Sequence, residues 1–223
     1  MDDASAPSTI RISSTSGRLR IDARPAAEVA VSKAVPQART GDVVTIDTDH
    51  ESVDVIVPEG SDLVIGSVSG AIRIRGRLGE VAIVSRSGKI ELDHAVDADI
   101  RSETGRIQVG TVERECRAHS TTGRVDVGTC GRADVSSTSG RVQVDRVDGP
   151  AAAHSVSGRV SIAVSRAADI EAETVTGRIA VAFPPGVRVH RADAVVPPDQ
   201  RPVDSDCTVV ARSGTGSVNV TSQ

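Results

Sequence analysis

Lys89, Arg106, Arg124, Arg141, Arg159 and Arg178 each stand directly after a glycine. Those glycines recur at steps of 17 to 19 residues. A cation at one period reads as a line of positive charge on whatever repeating element carries it. Such a line can follow a polyanion such as a teichoic acid, an acidic glycan or a nucleic-acid backbone. The plainer reading is a solvated arginine copied with the repeat, its aliphatic stem covering the glycine. Glu91, Glu103 and Asp126 stand close enough in sequence to neutralise part of the line.

The other chemistry-bearing residues are sparser. His119 and His154 occupy the same place in the repeat, with Ser136 at that place between them. Two repeats of separation is too far for both to ligate one metal. His94, in "ELDHAVDAD", reads as a solvated loop residue, because the acids around it lack a metal-ligand spacing. Cys116 falls in an aliphatic column, and Cys130 stands where neighbouring repeats carry Val112 and Val147, so both read as small buried hydrophobes. The acidic flanks of Cys207 in "DSDCTVV" argue against a nucleophilic thiolate. No phosphate loop, dinucleotide fingerprint, nucleophile elbow or zinc-protease signature occurs. The expectation is a protein that is not an enzyme and has no cofactor, no metal and no catalytic residues.

The element that positions the cations is legible around each glycine. Gly70, Gly88, Gly105, Gly123, Gly140, Gly158 and Gly177 follow one another at 18, 17, 18, 17, 18 and 19 residues. Gly17 and Gly216 lie 53 and 39 residues outside them, which fit three and two further steps. The second and fourth residues after each glycine are aliphatic, as in Val125/Val127, Val142/Val144 and Val160/Ile162. Before each glycine a second alternating set ends three residues upstream in Ser or Thr, as in Ala133/Val135/Ser137. Period-two alternation rich in β-branched residues is a half-buried strand. Each repeat is therefore two strands meeting at a glycine corner, closed by a short linker. One repeat cannot bury its aliphatic face alone, but repeats stacked about 4.8 Å apart can. The expected fold is an all-β, single-stranded β-helix (β-solenoid) of roughly a dozen coils. The Ser/Thr column reads as structural, a ladder of hydroxyls bonded to one another and to the corner backbone.

Composition agrees with a thin, repetitive core: no Trp, no Tyr and one Phe in 223 residues. Phe183 beside "PPG" reads as a plug over the last turn. Three cysteines without metal spacing suggest free thiols. A net charge of -4 gives no general attraction to nucleic acid, and no apolar run is long enough for membrane insertion. The start, "MDDASAPST", lacks a leader pattern, so the chain as written reads as cytoplasmic, with the cell surface as the alternative. The whole of 1–223 reads as one solenoid domain: irregular N-terminal coils and cap over 1–62, regular coils over 63–183, and a Pro-rich loop with capping coils over 184–223.

The stretch "VDVIVPEGSDLVIGSVSGAIRIRG", followed by "SGKI", "TGRI", "TGRV", "SGRV" and "SGRV", resembles the bacterial putative-adhesin family of β-strand-repeat proteins. The likeness covers roughly residues 53 to 220 and implies a β-helical fold, for which right-handed winding is favoured. A left-handed helix of hexapeptide sides is the alternative. The resemblance brings no catalytic residues and implies an adhesin-like scaffold that meets an unknown protein or cell-envelope polymer. The alternative is a polyanion- or polysaccharide-binding β-helix, or less readily a lyase, using the arginine line. Self-association through the solenoid ends is a further expectation.

Overall fold

The computed structural model describes residues 9–25, 28–32, 36–48, 52–192 and 204–222. His50 and the prolines Pro197, Pro198 and Pro202 lie outside them. The described residues contain no helix. The strands are β1 (Thr9–Ser14), β2 (Arg18–Arg24), β3 (Ala30–Val31), β4 (Gln37–Thr40), β5 (Val43–Thr48) and β6 (Val53–Pro58). There follow β7 (Asp62–Val147), β8 (Ala151–Val164), β9 (Ile170–Phe183), β10 (Val189–Arg191) and β11 (Cys207–Ser222). All belong to one sheet wound on itself, so the chain is the β-solenoid its repeat predicts. β7 is a continuous run of strand through successive coils, and "ELDHAVDAD" lies within it as strand, not loop.

Like residues sit over like. Val142 pairs with Val160 and Val160 with Ile179, in parallel register. These side chains and Val125 are each 0% exposed. A third inward column, through Val112, Cys130, Val147 and Val164, closes each coil, and Phe183 continues it, buried at the end of β9 against the last coil. Each fully buried Val or Ile contributes roughly 1.5–3 kcal/mol, so many small columns replace the missing aromatic core.

The corner sets the spacing. Gly140 adopts φ 149°, and a Cβ there would stand 1.7 Å from the carbonyl oxygen of Gly123 one coil away. Backbone thus packs on backbone where any side chain would collide.

The Ser/Thr column departs from the expected ladder. Ser14, Ser67, Ser85 and Ser102 donate to the carbonyl two residues on, at 3.3, 3.4, 3.2 and 3.1 Å. The buried hydroxyls of Ser120, Ser137, Ser155 and Thr174 have no partner among the described residues. Corner geometry separates the two groups. The glycines after the bonded serines have φ of 114° to 131°, and those after the partnerless hydroxyls 149° to 154°. Rotating the corner peptide swings its carbonyl away from the hydroxyl. At about 4.8 Å per coil the hydroxyls are too far apart to bond each other.

The intervals of 53 and 39 residues do not hold three and two coils stacked in chain order between their glycines. Gly17 lies directly on Gly70, and Gly216 directly on Gly177. β1 and β2 are sandwiched between the coil that opens β7 and an outer coil made by β5 and β6. The chain therefore builds its second coil outward before returning to start the regular stack. Antiparallel strands β4 and β3 then line the outer coil. The solenoid is accordingly shorter than a dozen coils. At the other end the 39-residue interval holds β10, which pairs with the start of β11.

Two stability outcomes follow from the corner. Gly140→Ala should lose about 3 kcal/mol or more by urea denaturation, since both φ and the carbonyl opposite forbid a methyl group. Gly66→Ala, with nothing within 4 Å of its added carbon, should change little. Ser102→Ala should cost about 1 kcal/mol through its lost bond, and Ser155→Ala should be neutral or stabilising in the same assay.

Candidate functional site

Two outward faces flank the corner line: a leading face before each glycine and a trailing face after it. The predicted cations head the trailing face in register, Arg141 against Arg159 and Arg159 against Arg178. Six coils at strand spacing give a line about 24 Å long.

The line is not uniform. Lys89 is ion-paired with Glu91 two residues on. Arg124 Nε lies 2.5 Å from Asp126 Oδ1, and its Nη2 lies 3.4 Å from Gln143 Oε1. Arg178 Nε donates to Ser217 Oγ at 3.2 Å. The guanidinium groups of Arg106, Arg141 and Arg159 are exposed and make no ion pair among the described residues. Glu103, expected to temper the line, instead faces Arg86 on the leading face at 3.6 Å. Beyond Arg159 the trailing face carries Ser161 and Ala163, with Ala180 and Ala182 in the next coil, whereas beyond Arg141 stand Gln143 and Asp145, hydrogen-bonded to each other at 2.7 Å.

Several of the remaining charges pair from coil to coil. Arg77 grips Glu113 two coils away through Nε and Nη2 at 2.7 and 3.1 Å, and His94 Nε2 stands 3.0 Å from the same carboxylate. Hydrogen bonds from Arg77 and then His94 hold Glu113 at a pKa of about 2, against the partial desolvation that opposes them. Arg73 and then Lys89 do the same for Glu91, also at about 2.

On the leading face, His119 Nδ1 lies 2.5 Å from Ser136 Oγ, and His154 Nδ1 lies 3.6 Å from Glu173 Oε2. Arg212 closes on the same Glu173 at 3.0 Å. Ser136, His154, Glu173 and Arg212 are register partners in successive coils. They line a recess of about 450 Å³ rimmed by the half-exposed Val156 and Val175. Glu173 and Arg212 stand four residues before their glycines, in the column of His119, Ser136 and His154, where the repeat places them by count alone. The hydroxyl engages one imidazole and the carboxylate the other, so no single imidazole joins nucleophile to acid as a catalytic triad requires.

The thiols are inert by burial. Cys116, Cys130 and Cys207 are all buried. Desolvation pushes the Cys116 thiol upward and that of Cys130 to about 12. Among the described residues no group of three or more His, Cys, Asp or Glu could hold a metal. No helix there is long and apolar enough to cross a membrane.

A sequence profile of the Toastrack DUF4097 family matches residues 3–196. The chain belongs to that family. In this Toastrack chain, then, the glycine-corner repeat is the family's own domain, whose function is undefined. No curated protein sequence matches it. Among solved structures, a crystal structure of a putative adhesin from Bacteroides fragilis NCTC 9343 is similar, at 11% identity and a TM-score of 0.45. The likeness covers 97% of this chain and 92% of that one, and it is too loose to bear on function.

The paired carboxylates Glu91 and Glu113 add an acid-sensitive contribution to stability, discounted by their exposure to solvent. Their folded pKa lies below the ordinary value of 4.5, so their stabilisation is full above that pH and is lost as pH falls towards about 2. A Glu91→Gln, Glu113→Gln variant should therefore show a flatter loss of urea midpoint across that window than the wild type.

Proposed function

We propose that this Toastrack chain is a non-catalytic binding scaffold whose trailing face receives an extended polyanion, such as an anionic cell-envelope polymer. The reading is carried by Arg106, Arg141 and Arg159, three guanidinium groups on one register line that no carboxylate neutralises. Elsewhere on the surface most arginines near a carboxylate are paired with it, as at Arg77, Arg101, Arg117 and Arg146. Unpaired guanidinium groups held at fixed spacing by a stiff backbone present their charge without further ordering, which favours a polymer with charges along its length. A net charge of -4 over the whole chain confines the attraction to this face and gives no general affinity for nucleic acid. The leading face supports binding better than catalysis, because its hydroxyl and carboxylate belong to different imidazoles.

Affinity for dextran sulfate or teichoic acid, measured by calorimetry or column retention over a salt series, tests the reading. The wild type should bind at low salt and release steeply as salt rises. Changing Arg106, Arg141 and Arg159 together to Ser should reduce the log–log salt slope by about 2, by analogy with charge neutralisation on nucleic acids. Unchanged retention of the triple variant, or no binding of the wild type at low salt, would overturn the proposal.

A further inference from the structure

The N-terminal end of the trailing face holds a recess that the arginine line does not use. It encloses about 510 Å³ between the outer coil, β2 and the start of β7, with β3 as one wall. Its floor is cationic: Arg20 and Arg73 are register partners, and Arg75 follows on the same face opposite Asp22. Ala30 and Val31 of β3, with Ile56, supply apolar wall.

The charges inside do not cancel. Asp22 is held by Arg24 at 3.3 Å, and Arg73 is paired with Glu91 in the adjoining recess, which Arg75 and Asp93 also line, Asp93 accepting there from the Gly76 amide at 3.4 Å. Asp54 lies 3.9 Å from Arg20, at the outer limit of an ion pair. The Arg75 guanidinium has no ion-pair partner among the described residues. One forked donor is thus left over at the floor of a concavity, with a second only loosely engaged beside it. Forked donors converging in a walled space are matched by a planar carboxylate or a phosphate, and the apolar wall suits a short organic body.

We propose that this recess binds a small organic oxyanion, a carboxylate or phosphate monoester on a compact body, through Arg75 with help from Arg20. The site is independent of the polyanion reading, because it shares no residue with Arg106, Arg141 and Arg159. β3 is what distinguishes it from the open face: without that antiparallel strand the arginines would lie on a plain outer surface.

Calorimetric titration of the full chain with glycerol 3-phosphate, glycerate and neutral glycerol tests the inference. Saturable binding of one or both anions at a single site, and none of glycerol, is the expected result; the preferred anion then identifies the head group. Arg75→Ala should weaken binding about tenfold or more, and Arg75→Lys, which keeps charge but loses the fork, should fall between. Ala30→Asp, at an exposed position on the wall, should weaken binding through like charge while leaving the thermal midpoint unchanged. The Arg106, Arg141, Arg159 triple variant should bind as the wild type does. Absence of saturable binding by either anion, or Arg75→Ala binding as well as the wild type, overturns the site. Equal weakening by the distant triple variant does so too, because it would make the attraction diffuse.

Discussion

At each corner a carbonyl oxygen occupies the space that a Cβ of the next coil would need, and the rest of the solenoid is arranged around that contact. Because Gly123 and Gly140, then Gly140 and Gly158, meet backbone to backbone, successive coils cannot slip past one another. A slip of one residue would turn every aliphatic column outward. With register held at the corner, Val125, Val142, Val160 and Ile179 share one interior column, and residues this small form a continuous core. The same register that aligns the valines aligns the arginines beside the glycines.

Corner conformation also governs the polar atoms beneath it. In the coils nearer the N-terminus the peptide is turned so that its carbonyl accepts from the inward serine. Further along, a rotation of some tens of degrees removes that acceptor and leaves the hydroxyls of Ser137 and Ser155 unbonded. Four successive partnerless hydroxyls are a local cost that the surrounding apolar burial offsets. The two halves of the stack therefore share a fold while differing in how well their corners are satisfied.

The two ends are treated differently. At the N-terminal end the chain lays an outer coil over its first coil and adds antiparallel strands β3 and β4, so the parallel ladder does not end on a plain strand edge. That arrangement also creates the walled recess over Arg20 and Arg75. At the C-terminal end β10 covers only the start of β11, and Arg191 reaches across to the carbonyl of Val220 at 2.7 Å. Val218 is 39% exposed there, whereas Ile179 one coil inside is fully buried.

Local pattern was enough to identify the two strands around each corner glycine, the inward columns and the line of cations, but not the strand through His94. Period-two alternation combined with a near-constant step leaves one way to bury so many small aliphatics, and the residue after a corner glycine must point outward. Cys130 was likewise legible, as a substitute in an aliphatic column, whereas Phe183, expected as a plug over the last turn, is an inward residue of the coil before it, with β11 stacked beyond. Tertiary structure alone decided the order of the N-terminal coils, because β5 and β6 have the same pattern whether they stack inside or outside β1 and β2; only the pairing of distant edges distinguishes the two. It also decided which arginines are free and where β3 makes a recess. Those outcomes depend on side chains one or two coils away, where neighbours in space are separated by a full turn of sequence.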